Sequence, residues 1–416
     1  MKKVVILVLA LILIFGAALK VLTMAAGWPK DPYLAFTNEV WDTIKTNYWE
    51  KINDDQLAGL FVAAAEKITT KPQTLAQKDR QGVDKLVAQI LKEIPEPDKK
   101  RDFVASMADL VLANLQPFGR SRLYTQKEEK SLSNNVNNIS GVDQYGLLGV
   151  PKEASAAAIQ KAYDDKSAAL KKANTPEAKQ QLAELNQAQQ TLTNQKSRQL
   201  YDTAGVETTV EYRILNQDIF YLHLLRFSPT TLDDLTRAAG QSDATPLATT
   251  LILDLRDNIG GAIDGLPWFL GPFLGADQPA YQLYHQGNKT DFKTSGGWLA
   301  SLVKFKKVVI LINENSQSTA ELMAATLKKY NVGVLVGRKT KGWGTIEKVF
   351  PLTAQLTQNE KYSIFLVHSL ALREDGQPIE GRGVEPVIDI GTPGWEKELY
   401  NYFRYPELTA ELKKIP

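Results

Sequence analysis

The chain has 416 residues, 44% of them hydrophobic and 23% charged, with a net charge of +2. That length predicts two or three domains with ample core, and so small a charge excludes nucleic acid or an acidic polymer as the main partner. There is no cysteine and there are three histidines, His223, His285 and His368. Disulfides, thiolate zinc sites and a cysteine nucleophile are therefore excluded, and a multi-histidine metal centre is disfavoured.

At the N-terminus Lys2 and Lys3 precede an apolar run from Val4 to Leu19; Lys20 interrupts it, and Val21 to Ala26 is apolar again. Charge followed by apolar sequence is the order of a targeting segment. Val4 to Ala26 reaches the roughly 20 residues a spanning helix needs if Lys20 snorkels. No clean small-x-small cleavage site follows the first run, so residues 1–26 are read as an uncleaved signal anchor. The membrane is then a partner through this helix, with the bulk of the chain outside the cytoplasm; a cleaved signal would instead release it as a secreted protein.

Residues 30–130 read as a helical region. Phe36, Val40, Trp41, Ile44 and Tyr48 recur at spacings of three and four, an amphipathic stripe. Residues 67–100 are polar and Lys/Gln-rich and predict looser helices. The Asn- and Ser-rich run Ser131 to Ser140 predicts a linker. A small all-helical unit follows at 141–205, with helices over Ala154–Lys172 and Pro176–Leu192 and a short third near Lys196–Tyr201. From 208 to 395 short apolar runs alternate with helical stretches. Runs such as Thr249 to Leu255 and Val308 to Ile312 lack polar alternation. They predict strands covered on both faces, hence an α/β domain with a mixed or parallel sheet. Residues 396–416 form a helical tail.

Four segments of that domain carry chemistry-bearing residues. Asp254 to Gly261 ends a buried strand in a polar turn and two glycines, which permit close backbone approach and free N–H groups; it also reads as a plain strand-to-helix turn. Asn313 to Glu321 lies between a strand and a helix. Ser318 there would sit in the positive field of a helix N-terminus, or serve only as an N-cap closed by Glu321. Val336 to Glu347 and Leu372 to Pro386 are Gly-rich segments with charged residues.

In this order and spacing the four segments resemble the carboxyl-terminal processing, or tail-specific, serine peptidases of family S41. That family's pattern is D-L-R-x-N-x-G-G, then S-A-S-A-S-E, then V-G-x-x-T-x-G-K-G, then G-x-x-I-x-G-x-G-x-x-P. Phe36 to Tyr48 is similar to its leading helix, and Leu115 to Thr125 to its S-L-D-P-Y-S-x-Y-L-T segment. The resemblance implies a ClpP/crotonase-like mixed sheet with helices, a polypeptide substrate and no cofactor. It implies Ser318 as nucleophile and Gly260, Gly261 and Thr319 as the oxyanion site. It also implies a departure: the family's general-base Lys falls on Trp343, and indole is a donor only. Lys341, two residues earlier, would point to the same side in an extended segment. Glu347 could orient it, or itself partner Ser318 or a water. Lys341 reads equally as a solvated loop charge. His223 and His368 fall in strand-like runs and read as structural.

Asp143 to Val150, with Ala162-Tyr163, Leu185 to Ala188 and Tyr201-Asp202, resembles the J-domain of Hsp70 co-chaperones. The His-Pro-Asp tripeptide of that family falls on Lys171-Lys172-Ala173, so Hsp70 is not expected as a partner. The module occupies the slot where the peptidase family usually carries a PDZ domain, and reads as a docking or regulatory module or as a spacer. Two functions follow: an exported, membrane-anchored serine peptidase, or a peptidase-like protein that holds ligands without turnover.

Overall fold

The computed structural model describes residues 31–415 except 140, 174 and 374. The predicted anchor at 1–26 lies outside the described residues; among those, no helix is long and apolar enough to cross a membrane.

In chain order the strands are β1 Arg122–Thr125, β2 Val210–Leu215, β3 Ile219–Leu224, β4 Thr250–Asp254, β5 Pro279–His285 and β6 Asn288–Lys293. They continue with β7 Lys307–Ile312, β8 Val334–Gly337, β9 Thr345–Pro351, β10 Tyr362–Leu372 and β11 Ile388–Asp389. One sheet runs β11-β8-β7-β4-β3-β2. Its pairs are parallel except the β2–β3 hairpin at the edge. Side chains along β7 show why its strands lack polar alternation. Val308, Ile310 and Ile312 enter one core, while Val309 and Leu311 enter a second on the opposite face. The first core lies under the helices Thr231–Gly240, Leu266–Leu274 and Thr319–Lys329; the second is covered by Leu399, Phe403 and Leu408 of the two C-terminal helices and by Ile415 just after them. A sheet buried on both faces needs apolar residues at every position.

The other sheet is antiparallel and centres on the long β10. β9 pairs with residues 363–370 of β10, while β1 and β5 share the opposite edge, at residues 362–365 and 370–372. β6 pairs with β5. One face of this sheet closes onto four N-terminal helices, Pro32–Asn47, Asp54–Thr69, Arg80–Glu93 and Pro97–Ala113, whose core includes Tyr362, Ile364 and Leu366. The stripe Phe36, Val40, Trp41 and Ile44 is buried there as its spacing predicts.

Two expectations need correction. Residues 80–93 form a regular helix with an apolar face of Val83, Leu86, Val87 and Ile90, N-capped by Asp79; the polar composition of 67–100 belongs largely to its exposed side. The expected linker 131–140 is helical over much of its length, because the helix Gln126–Val136 begins in a capping box. Thr125 N donates to Glu128 Oε2 and Glu128 N to Thr125 Oγ1.

The helices Ala156–Ala173, Pro176–Thr193 and Gln195–Ala204 form a small bundle with its own core of Tyr145, Leu148, Ile159, Leu185, Ala188 and Leu192. It lies along the β2 edge of the parallel sheet. Gln187 and Gln190 side-chain amides donate to the carbonyls of Thr208 and Tyr212, and Lys196 pairs with Asp233 at 2.6 Å.

Candidate active site

The site forms at the C-terminal ends of β4 and β7, where parallel strands deliver loops to one edge of the sheet. After β7, Asn313 organises the turn: its Oδ1 accepts from the backbone N–H groups of Asp257, Asn315 and Ser316. Ser316 Oγ donates to Leu255 O at 2.7 Å. The loop after β4 and the loop before Ser318 are thereby joined. Asn258, fully buried, adds the second tie. Its Nδ2 donates to Leu224 O, its Oδ1 accepts from Gly260 N, and its carbonyl accepts from Gln317 N.

Ser318 stands immediately before the helix Thr319–Lys329 with φ 58° and ψ −122°. A non-glycine residue in that region is strained, and it persists only where its surroundings over-determine it. The surroundings here are specific. Gly260 has φ 88°, and a Cβ on it would come within 2.7 Å of Ser318 Cβ and 3.0 Å of Thr319 N. Gly261 has φ 135°, and a Cβ there would meet Phe227 O at 1.9 Å. Both glycines are thus required by close approach as well as by dihedral angle. Thr319 Oγ1 donates to Gly261 O at 3.0 Å, fastening the two loops beside the serine.

The backbone donors divide. Gly260 N–H is taken by Asn258 Oδ1, so Gly260 contributes proximity rather than an open donor. Gly261 N–H and Thr319 N–H take part in no hydrogen bond among the described residues. Of the three residues assigned to the oxyanion site by resemblance, these two carry N–H groups able to receive a negative oxygen.

Glu321 was read from the sequence only as a capping partner, and it does more. It is fully buried, and its carboxylate accepts from Ser318 N at 2.9 Å, Gly342 N at 2.7 Å, Trp343 N at 2.8 Å and Thr340 Oγ1. Burial raises its pKa above the ordinary value, against the pull of those donors. One carboxylate therefore fixes both the serine turn and the 340–343 loop.

Lys341, read either as facing the side of position 343 in an extended segment or as a solvated loop charge, is exposed. The premise of an extended segment fails at Gly342, whose φ of 80° breaks the alternation. Trp343 is half-buried and sealed. Its Nε1 donates to Glu347 Oε1 at 3.2 Å, and the Arg120 guanidinium lies 3.4 Å over its ring. Arg120 pairs in turn with Glu380 at 3.1 Å, and the other Glu380 oxygen accepts from Gly344 N. Glu347 also accepts from Thr345 Oγ1, and burial raises its pKa, although Thr345, Trp343 and the charge of Arg120 act against the rise. Among the described residues Glu347 forms no hydrogen bond with Ser318. Arg120 and Glu380 were not foreseen as site residues. Arg120 sits in the N-terminal region, more than 200 residues from Trp343, and no local pattern points to that contact. His223 and His368 lie in β3 and β10, as expected from their strand-like runs.

Residues 218–390 match the sequence family described as Peptidase family S41, and residues 143–202 match the DnaJ domain. The carboxy-terminal-processing protease of Bartonella bacilliformis is 28% identical over 191 residues, covering 45% of this chain and 42% of that protein. Carboxy-terminal processing protease CtpA of Bacillus subtilis is 29% identical over 211 residues, covering 50% and 41% respectively. The chain thus spans less than half the length of these curated relatives. A solved photosystem II D1 C-terminal processing protease superposes with a TM-score of 0.50 at 14% identity, covering 86% of this chain and 93% of that one, a likeness of fold. Residues 218–390 are accordingly a peptidase family S41 domain, and residues 143–202, set between it and the N-terminal helices, are a DnaJ-type domain.

Proposed function

We propose that this protein is a serine-type peptidase of the carboxyl-terminal processing kind, held at the membrane by residues 4–26 with its folded part outside the cytoplasm, and that it acts on polypeptide chains. The observation that carries this reading is the strained Ser318, with Gly260 packed against it and the N–H groups of Gly261 and Thr319 unengaged beside it. Ser318 Oγ would attack a peptide carbonyl, and the two N–H groups would receive the developing oxyanion at the positive end of the Thr319–Lys329 helix. The order of strand, glycine turn and serine helix shared with the S41 family supports these roles.

The attacking hydroxyl must lose a proton. Trp343, which stands where the family's lysine base falls, cannot take it. Lys341 or Glu347 would have to do so, and each needs to move: Lys341 inward from solvent, Glu347 away from Trp343 and Thr345. The sealed Trp343 favours a second reading, in which the site holds a polypeptide without cutting it.

The test compares the full-length protein with Ser318→Ala and Trp343→Lys on an unstructured polypeptide, by mass spectrometry of the products. Peptidase action predicts cleavage by the wild type that disappears in Ser318→Ala. Cleavage by Trp343→Lys alone would support a peptidase-like protein that lost only its base. Cleavage that survives in Ser318→Ala would remove Ser318 from its role.

A further inference from the structure

The two ends of the parallel sheet differ. β11 is two residues long, while β2 spans six, and one edge of β2 is paired with no strand. A strand edge of that length is a template for pairing with another chain, and a very short terminal strand is not. Leu225 N donates to Thr209 O, so residue 209 faces β3. By the two-residue period the backbone groups of 208, 210, 212 and 214 face away from the sheet.

The DnaJ-type helix Pro176–Thr193 meets those groups with side chains. Gln187 Nε2 donates to Thr208 O at 3.2 Å, Thr208 N donates to Thr191 Oγ1 at 3.3 Å, and Gln190 Nε2 donates to Tyr212 O at 3.3 Å. Positions 187, 190 and 191 are separated by three and four residues, so they share one face of the helix. That face offers the β2 backbone both donors and an acceptor, as a neighbouring strand would. Thr191 and Thr208 are buried at the contact.

The domain is fastened at several further points. Its two chain ends leave the body side by side: Glu207 N donates to Asn138 O, Asn138 Nδ2 donates to Glu207 O, and Ile139 bridges Val206. The Gln144 and Gln187 amides both donate to the Glu207 carboxylate. On the helix Thr231–Gly240, Asp233 pairs with Lys196, and Arg237 donates to Ser197 Oγ. A spacer needs none of these contacts.

We propose that the DnaJ-type domain is an intramolecular edge cap, which lies along β2 in place of a strand and keeps the peptidase domain from pairing there with a second copy of this chain. The surface it fits is the chain's own β2 edge, so the role needs neither Hsp70 nor turnover at Ser318. Chain order suits it: residues 143–202 precede β2, so the cap is made before the edge it covers.

The test loosens the cap in the full-length protein with Gln187→Ala, Gln190→Ala and Thr191→Val together, and follows its association by sedimentation velocity in detergent. Each hydrogen bond lost should raise the uncapped population roughly fivefold. The loosened variant should therefore form larger species than the wild type at equal concentration. Hydrogen exchange should quicken at residues 208–214 and stay unchanged in β4 and β7. A lysine on an edge strand opposes edge-to-edge pairing. Adding Ile214→Lys, at an exposed position of β2, should restore the wild-type distribution, and adding Ile214→Leu should not. A wild-type distribution in the loosened variant overturns the proposal. So does association that Ile214→Lys leaves unchanged, because general unfolding and not a bared β2 edge would then drive it.

Discussion

Gly260 lies so close to Ser318 that a single added methyl would have to occupy space held by the serine's own Cβ. Gly260→Ala should therefore displace the serine turn and also suffer from a positive φ, destabilising the fold by about 1–3 kcal/mol. Denaturant unfolding checks the stability; under the peptidase proposal, labelling of Ser318 by a fluorophosphonate should fall in parallel. Around Trp343 the controlling contacts are ionic. Arg120→Ala removes the guanidinium from the ring and leaves Glu380 without its partner, where both side chains of the pair are under 20% exposed. The expected loss is about 1–3 kcal/mol in unfolding free energy, and Trp343 should become more open to acrylamide quenching. At this scale the sequence singled out Ser318 and both glycines, because each belongs to a local motif, and the structure brings Gly260 against Ser318. It did not disclose Arg120, and it left Lys341 open between a partner of Ser318 and a solvated loop charge, because the conformation of Gly342, on which the choice turns, is set by the loop rather than by its neighbours' pattern.

Strands and loops were legible to different degrees for a physical reason. β3, β4 and β7 are buried on both faces, so every position must be apolar, and such runs identify themselves. The helix Gln126–Val136 has no buried residue, so no apolar period marked it; the Thr125 to Glu128 capping box was the available signal. Between elements, Asn258 is the joint. Asn258→Ala would leave Leu224 O and Gly260 N without their side-chain partners in a buried site. The expected cost is about 2–4 kcal/mol, measurable by chemical denaturation. The β5–β10 contact carries a pH dependence. His285 and His368 stack at 4.2 Å, and Lys348 Nζ lies 3.5 Å from His368 Nε2. Burial first, then the charges of Lys348 and His285, lower the pKa of His368 from 6.5 to about 4. The unfolded chain then binds the proton at a higher pH than the folded one. Stability should fall as pH drops from about 6.5 and level off below about 4. His368→Gln should flatten that part of the melting-temperature profile.

The antiparallel sheet belongs to two distant parts of the chain. β1, at residues 122–125, pairs with β10 at residues 362–365, and Trp49 N donates to Val367 O. Glu39 accepts from Thr353 and Ala354 across 314 and 315 residues. The family match at 218–390 is therefore not a self-sufficient folding unit. Residues 208–416 expressed alone should expose the face carrying Tyr362, Ile364 and Leu366 and the open edge of β10, and should aggregate. Light scattering checks this, and co-expression with residues 31–140 should restore a soluble complex. Such long-range pairing leaves no local trace, which is why the helical region and the α/β domain were each legible in the sequence but their shared sheet was not. It also sets an order of events during synthesis. The first four helices emerge early, yet the strand that closes their core leaves the ribosome only after about 250 further residues, a delay of roughly 10–50 s at ordinary elongation rates. The DnaJ-type bundle, with its wholly local core, can close within that interval. The newborn chain thus carries a finished module in its middle and a half-covered core at its start, and is most vulnerable to aggregation and proteolysis just before its last sixty residues appear.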